Sequence, residues 1–93
     1  MPWVYILECD DKSYYTGFAK DLEKRVAEHQ NGLGGDYTAR RRPVKLVFSQ
    51  ETVLLKDAFA LERQLKGWSR KKKEAIIRGE YDLLPDLSKS KDK

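Results

Sequence analysis

Two runs of β-branched and aromatic residues, joined by a short polar turn, constrain the fold of this chain more than any other feature. Apolar residues occupy nearly every position of residues 3–9, as in a strand that is covered on both faces. Residues 10–13 are polar and predict a turn, and residues 14–18 predict the returning strand. The segment therefore predicts a β-hairpin at the start of the chain.

The register of this hairpin decides whether Tyr5 and Tyr15 can share a site. Side chains alternate between the two faces of a strand, so a four-residue loop that pairs Cys9 with Tyr14 places the two tyrosines on opposite faces. An odd loop or a bulge places them on the same face. If both tyrosines serve one site, the odd register is predicted. Otherwise they are hairpin core residues whose hydroxyls reach the surface.

An amphipathic helix follows the hairpin. Asp21 is a good N-cap for a helix that runs to about Gln30, and residues 31–32 (Asn-Gly) predict its end. A helical projection places Arg25 and His29 at the borders of the apolar stripe. A half-buried arginine indicates an anion in the groove between helix and sheet, or else a nearby carboxylate or a snorkelling side chain. His29 taken alone is more often a hydrogen-bonded boundary residue than a catalyst.

Residues 31–43 (NGLGGDYTARRRP) are too polar for a core and too rich in glycine for regular structure. They predict a mobile basic loop. Arginines supply phosphate contacts and an aromatic ring supplies a stacking surface, a combination that suits nucleic acid, although an ordinary surface loop explains it equally well. The candidate binding residues here are Tyr37, Arg40, Arg41 and Arg42.

Residues 44–49 (VKLVFS) predict a third strand beside the hairpin, and residues 55–68 predict a second helix. Glu62 falls at the border of the apolar stripe of that helix. A carboxylate at such a border usually has a partner. Glu62 is expected either to pair with Arg25 or Arg63, or to hold a hard divalent cation such as Mg²⁺, which favours one or two carboxylates plus water.

A third helix, capped by Ser69 and ending near Gly79, opens with four consecutive cations. Cations at the positive end of a helix dipole are unfavourable unless an anion is bound, so this turn favours phosphate. Residues 63–78 contain seven basic residues and one acid, which indicates a polyanionic partner or, more simply, a solvated helix face. The candidate binding residues are Lys66, Arg70, Lys71, Lys72 and Lys73.

The length and composition suit one small domain. The 93 residues, 40% of them hydrophobic, fit a domain over residues 1–80 and a C-terminal tail over residues 81–93 that we expect to be partly disordered. The single cysteine, Cys9, excludes an internal disulfide and a zinc knuckle. No apolar run is long enough to cross a membrane, and the cytoplasm is the expected location. The elements predict an α+β fold in the order β-β-α-β-α-α, with a three-stranded antiparallel sheet.

These residues resemble the GIY-YIG nuclease superfamily, in particular its small stand-alone bacterial members (UPF0213-like), which are related to the N-terminal nuclease domain of the excision-repair incision subunit. Residues 3–5 (Trp-Val-Tyr) stand where the family has Gly-Ile-Tyr, and residues 15–17 (Tyr-Thr-Gly) stand where it has Tyr-Ile-Gly. Arg25 and His29 match the arginine and histidine of the following helix. Glu62 matches the metal-binding glutamate of the later helix.

The resemblance extends from Trp3 to about Ile77, and it includes the segments YTARRRPVKLVF and WSRKKKEAII. Two positions depart from the family pattern. Trp3 replaces the first glycine, and Phe18 stands near the position where the repair nuclease domain carries a lysine. One contributor to phosphate activation is therefore expected to be missing.

The resemblance implies a metal-dependent DNA endonuclease. Glu62 would hold one Mg²⁺ or Mn²⁺ ion, and Arg25 would stabilise charge in the transition state. Tyr5 or Tyr15 would take a proton from the attacking water, with His29 hydrogen-bonded nearby. The substrate would be DNA, in plain, branched or damaged form, and a homodimer or a repair-protein partner would supply targeting.

Two other classes of function remain open from the sequence. One is a non-catalytic nucleic-acid-binding module with the same fold, which needs only lysine and arginine and would show a steep dependence on salt. The other is a partner-binding protein whose basic helix docks on an acidic protein.

Overall fold

The computed structural model describes residues 1–79, so the tail predicted for residues 81–93 lies outside the described residues. In that part of the chain no helix is long and apolar enough to cross a membrane. The elements are β1 (Trp3–Glu8), β2 (Tyr14–Ala19), α1 (Leu22–Gln30), α2 (Asp36–Ala39), β3 (Lys45–Glu51), α3 (Leu55–Lys66) and α4 (Arg70–Ile77). This is the predicted α+β order with one additional short helix, α2.

Strand β1 is the centre of a three-stranded sheet in the order β2-β1-β3, and it runs antiparallel to both neighbours. Leu7 pairs with Tyr15, and Tyr5 pairs with Gly17. Five residues therefore separate the paired strands, an odd number, and residues 5 and 15 lie on the same face. The odd register that a shared tyrosine site requires is confirmed.

The two faces of the sheet carry separate apolar clusters. The first, which packs against α3 and α4, consists of Val4, Ile6, Phe48, Ala58, Leu65 and Ile76. The second consists of Tyr5, Leu7, Cys9 and Val44, with Leu22 and Val26 of α1 packed against it. Because β1 is buried on both faces, each of its large apolar side chains contributes about 1.5–3 kcal/mol of burial free energy.

The helix boundaries follow local chemistry. The Asp21 side chain caps α1 by accepting a hydrogen bond from the Lys24 amide at 3.1 Å, and the Ser69 side chain caps α4 by accepting one from the Lys72 amide at 3.3 Å. Helix α3 ends at Lys66, two residues before the predicted end, since Gly67 forms the C-cap. Both predicted N-caps are confirmed.

Residues 31–43 are more regular than predicted. They contain α2, whose Thr38 is fully buried and accepts or donates a hydrogen bond at 2.7 Å to Nδ1 of His29. Gly35 precedes the helix at φ 113°, a conformation that glycine adopts without strain. The prediction of an irregular loop was wrong at α2 because a tertiary contact to α1 outweighs the low helix propensity of the segment.

The Tyr5 ring lies directly over Gly17 on the neighbouring strand. A Cβ atom at position 17 would stand 2.6 Å from Tyr5 Oη and 2.7 Å from its Cζ. Such distances are shorter than any relaxed contact, so the ring would have to move. Glycine at position 17 is therefore required by the space that the tyrosine fills.

We expect Gly17→Ala to destabilise the protein by about 1–3 kcal/mol, because it forces Tyr5 out of its packed position. Urea unfolding followed by circular dichroism measures the change. Gly67→Ala is the matched control, since a Cβ there meets nothing closer than 3.6 Å and φ is −82°. The control should be neutral or more stable by up to about 1 kcal/mol. Equal loss in both variants would contradict the packing argument.

Candidate active site

A buried chain of hydrogen bonds joins the central strand to α1 and α2. Tyr5 Oη lies 2.8 Å from Nε2 of His29, and Nδ1 of His29 lies 2.7 Å from Oγ1 of Thr38. All three side chains are buried. A neutral imidazole has one donor and one acceptor nitrogen, so two flanking hydroxyls satisfy it completely. The chain can therefore carry a proton between Tyr5 and His29 without leaving a buried polar group unpaired.

Burial and a neighbouring cation keep His29 neutral. Desolvation lowers the pKa of His29 below its ordinary 6.5, and the charge of Arg25 lowers it further, while Glu28 opposes both. Burial also raises the pKa of Tyr5, to about 12, although hydrogen bonding to Arg25 favours the phenolate. Both groups are thus uncharged at neutral pH.

Arg25 lies at the edge of this chain, half-buried. Its Nη1 atom contacts Oε1 of Glu28 at 3.0 Å, so the nearby carboxylate that the sequence left open as a partner is present. Arg25 also influences the pKa of both Tyr5 and His29. The guanidinium is therefore held next to the phenol by a partner on its own helix.

Tyr15 completes an aromatic cluster on the same face. Its ring centroid lies 6.4 Å from Tyr5, 5.1 Å from His29 and 5.9 Å from Tyr37. Tyr37, predicted to stack on a nucleobase, is thus placed beside the candidate catalytic residues, and 38% of its surface is exposed. The cluster extends from the buried Tyr5 to the protein surface.

Glu62 comes from α3 and is only 5% exposed. Its partner is neither Arg25 nor Arg63, as the sequence suggested, but Lys66, whose Nζ lies 2.6 Å from Oε2 of Glu62. Arg63 instead lies over the Phe59 ring, 5.6 Å from its centroid. That expectation was wrong because Lys66, one helical turn away, reaches the carboxylate within the same helix.

Glu62 is nevertheless electrostatically connected to the tyrosines. Its charge is among the causes that raise the pKa of Tyr5, and its hydrogen bond is the main cause that raises the pKa of Lys66. Lys66 in turn interacts with Tyr15. The carboxylate therefore lies within electrostatic reach of the aromatic cluster.

Glu62 fits one kind of metal ion. Within residues 1–79 no group of three or more His, Cys, Asp or Glu side chains is placed to hold a metal. A single carboxylate suits a hard cation that keeps most of its water and shares a substrate phosphate. Mg²⁺ and Mn²⁺ meet this description.

The three arginines of the predicted binding loop differ in their contacts. Arg41 bonds to Asp11 at 3.1 Å and lies 3.9 Å from the centroid of the Tyr37 ring. Arg42 donates to the backbone oxygens of Ala39 and Gln30, and Arg40 is exposed. Arg41 and Arg42 thus help to hold the loop, while Arg40 faces solvent.

The basic first turn of α4 is not uniformly exposed. Lys72 is only 8% exposed and lies 5.9 Å from the centroid of the Trp68 ring, so it does not belong to a solvent-facing basic surface as predicted. Arg70 lies over Tyr14 and bonds to Glu74 at 3.1 Å. Lys71 is exposed. Alternation of buried and exposed helix faces explains why one of the four cations turns inward.

Lys73 is half-buried beside Lys66. Burial lowers the pKa of Lys73, and the charge of Lys66 lowers it further. These two lysines therefore form a pair of like charges, of which Lys66 contacts Glu62. Such a pair repels unless an anion lies between its members.

Sequence reasoning missed several residues at this site. A groove of about 360 Å³ borders Arg25 and includes Lys20 and Lys24, which precede Arg25 by five and one positions in the sequence and could have been found from that spacing. Thr38 and Gly34 gave no such signal. A Cβ at Gly34 would overlap the His29 ring, and only the fold reveals that closeness.

The sequence of this chain is similar to a known family model and to known bacterial proteins. Residues 1–75 match the model of the GIY-YIG catalytic domain. The UPF0213 protein SSP2268 of Staphylococcus saprophyticus is 45% identical over 75 residues, which cover 81% of this chain and 92% of the relative. The UPF0213 protein YazA of Bacillus subtilis is 42% identical over 73 residues, covering 78% and 74%.

Two solved structures of bacterial proteins are similar to this chain in fold and in sequence. The solution NMR structure of the UPF0213 protein BH0048 from Bacillus halodurans matches with a TM-score of 0.56 and 38% identity, over 95% of this chain and 98% of the other. That of EF2693 from E. faecalis matches with a TM-score of 0.58 and 33% identity, over 85% and 84%. With its sequence, its sheet and its relatives in agreement, the chain belongs to the GIY-YIG catalytic domain family.

Proposed function

We propose that this protein is a metal-dependent endonuclease that hydrolyses phosphodiester bonds in DNA. The observation that carries the proposal is the buried Tyr5–His29 hydrogen bond, 2.8 Å long, with Arg25 beside the phenol. A phenol, a neutral imidazole and a guanidinium together can accept a proton and stabilise a developing negative charge. The membership of the GIY-YIG catalytic domain family supports the same chemistry.

The proton of the attacking water passes to Tyr5 Oη while the phenolic proton passes to Nε2 of His29. This relay assigns the base to Tyr5, because the hydrogen bond to His29 belongs to Tyr5, while Tyr15 makes ring contacts. A phenol with a pKa of about 12 is a poor base when it must ionise first. A phenol that hands on its own proton as it receives another avoids that ionised state.

The remaining side chains orient the phosphate and offset its charge. Water attacks phosphorus, the bond from phosphorus to the 3′ oxygen breaks as that oxygen takes a proton from solvent, and Arg25 stabilises the charge that gathers on the phosphoryl oxygens. Glu62 would hold the divalent ion, Mg²⁺ or Mn²⁺, which would supply charge neutralisation during hydrolysis. Tyr15 packs its ring beside those of Tyr5 and His29 and so helps to orient the relay.

Nucleic acid reaches this site over a surface rich in cations. Arg40 and Lys71 are exposed, and Lys20 and Lys24 line the groove beside Arg25. These residues supply phosphate contacts that position a strand without reading its sequence. The aromatic cluster, open to solvent at Tyr37, offers a surface for an unstacked base in branched or damaged DNA.

Replacement of Glu62 tests the proposed metal site. We expect Glu62→Gln to lower the rate of DNA nicking at a fixed Mn²⁺ concentration by at least about 100-fold, because the amide keeps the shape but loses the charge. A supercoiled-plasmid relaxation assay measures the rate. Glu74→Gln, which removes another carboxylate paired with a cation one helical turn away, should keep the wild-type rate within about threefold.

Replacement of single hydroxyls tests the relay. We expect Tyr5→Phe to lower the nicking rate by about 10²–10⁴-fold, the usual contribution of a general base. Tyr14→Phe, on the opposite face of the hairpin over Arg70, should leave the rate unchanged. The plasmid relaxation assay measures the nicking rates of both purified variants, after circular dichroism has verified their folding. A Tyr5→Phe enzyme that works at full rate would exclude the relay.

The low pKa of His29 predicts a specific pH dependence of stability. The unfolded chain protonates His29 near 6.5, whereas the folded chain does so only at lower pH. The unfolded state therefore binds more protons in this interval. The contribution of His29 to the free energy of unfolding is fully present above about pH 6.5. It decreases as the pH drops toward the pKa of His29 in the folded protein, and at lower pH it no longer changes.

Urea unfolding between pH 5 and pH 8 measures this effect. His29 is the single histidine of the sequence, so few other groups titrate there. We expect a decline in the free energy of unfolding below about pH 6.5 in the wild type and a flatter profile in His29→Gln. Nicking should fail at the same acid end, because a protonated His29 cannot accept from Tyr5. A wild-type stability that rises on acidification would contradict the assignment.

A DNA cleavage assay also distinguishes the proposed nuclease from a non-catalytic binding module of the same fold. A nuclease requires a divalent ion for turnover, whereas a binding module requires only cations and a low salt concentration. Purified protein that binds flap, junction, single-stranded and duplex DNA, and cleaves none of them with Mg²⁺ or Mn²⁺, would overturn the proposal in favour of binding alone.

A further inference from the structure

The carboxylate of Glu62 is already paired with a cation. Its side chain is 7% exposed and lies 2.6 Å from Nζ of Lys66, whose side chain is 56% exposed. A carboxylate that is removed from water requires a partner of opposite charge. Lys66 supplies that charge from the adjacent turn of the same helix. The site that the proposed function gives to a divalent ion is therefore occupied by an ammonium group.

The ammonium group and a divalent ion cannot both use this oxygen. A Mg²⁺ ion binds a carboxylate oxygen at about 2.0–2.1 Å, and an ammonium group 2.6 Å from the same atom would meet it with like charge. Binding of the ion at Oε2 therefore displaces the Lys66 ammonium group from this oxygen. A half-exposed lysine with four methylene groups can move at low cost, because its stem is flexible.

The surroundings of Lys66 indicate where the displaced group goes. Lys66 interacts electrostatically with Tyr15 in the aromatic cluster and with Lys73 on α4. Both neighbours are within electrostatic reach of the Lys66 ammonium group, which itself contacts Glu62. Away from Glu62, the ammonium group stands beside another cation, and this arrangement is favourable only when an anion lies between the two. The anion that the proposed site binds is the scissile phosphate.

We propose that the Lys66 ammonium group pairs with Glu62 in the metal-free protein. When a divalent ion binds, this group moves to a non-bridging oxygen of the scissile phosphate. The inference rests on the proposed function, since it requires a metal at Glu62. Lys66 thereby has two roles. It neutralises a buried carboxylate in the resting protein, and it contacts the substrate in the reacting complex.

Titration of Mn²⁺ into the full-length protein without DNA, followed by electron paramagnetic resonance, tests the first role. Lys66→Gln removes the competing ammonium group and should bind Mn²⁺ about 3- to 10-fold more tightly than the wild type. Lys66→Arg keeps a cation that pairs with Glu62 and should bind near the wild-type affinity. Lys73→Gln removes a nearby charge but no contact with Glu62, and it should change the affinity less than about twofold.

Nicking at saturating Mn²⁺ tests the second role. Lys66→Gln should cleave about 10- to 100-fold more slowly while it binds Mn²⁺ more tightly, and Lys66→Arg should recover much of the rate. Opposite signs in affinity and rate separate this role from a structural one, which would weaken both. The melting temperature of each variant, with and without Mn²⁺, verifies folding, and Lys66→Arg remains informative if Lys66→Gln is unstable.

The outcomes distinguish this inference from the proposed function. Weaker or unchanged Mn²⁺ binding in Lys66→Gln, with wild-type binding that depends on Glu62, would overturn the role of Lys66 and leave the metal site intact. Wild-type Mn²⁺ binding that persists in Glu62→Gln would overturn both, because no ion would then displace Lys66. Full-rate cleavage by Lys66→Gln at saturating Mn²⁺ would exclude the phosphate contact.

Discussion

The hydrogen bond between Tyr5 and His29 is the interaction on which the rest of this small domain depends. It joins the central strand to α1 in the interior, where an unpaired hydroxyl or imidazole nitrogen costs about 1–3 kcal/mol. Satisfying the second nitrogen of His29 requires Thr38, and Thr38 requires the short helix α2. The polar chain therefore determines the conformation of a segment whose composition alone predicts none.

The hydrogen bond between Tyr5 and His29 requires small residues beside the two rings. Gly17 leaves the space that the Tyr5 ring fills, and Gly34 allows the backbone to pass next to the His29 ring. Neither glycine serves a turn of the hairpin. Both allow Tyr5 and His29 to lie at hydrogen-bond distance, so that a precise polar contact is maintained by packing on its two sides.

Much of the fold could be predicted from the sequence because local rules govern it. Asp21 and Ser69 act as helix caps, and the requirement that Tyr5 and Tyr15 share a face led to the correct odd register of the hairpin. The position of Thr38 could not be predicted, since its partner lies nine residues away on another helix. The burial of Lys72 was missed for a related reason, because a run of four cations gives no indication of which one faces the core.

The two halves of the candidate site have opposite electrostatic requirements. On the side of Tyr5 and His29, burial keeps both groups neutral in the resting protein, so the imidazole is free to accept the phenolic proton in the proposed relay. On the side of Glu62, a buried charge must always have a counter-charge, and Lys66 provides one that can move. A rigid neutral relay and a mobile cation together suit a reaction in which a proton leaves on one side while negative charge gathers on the other. The proposed reaction would need both, since a rigid cation would compete with a metal ion for Glu62 and a mobile relay would lose its alignment.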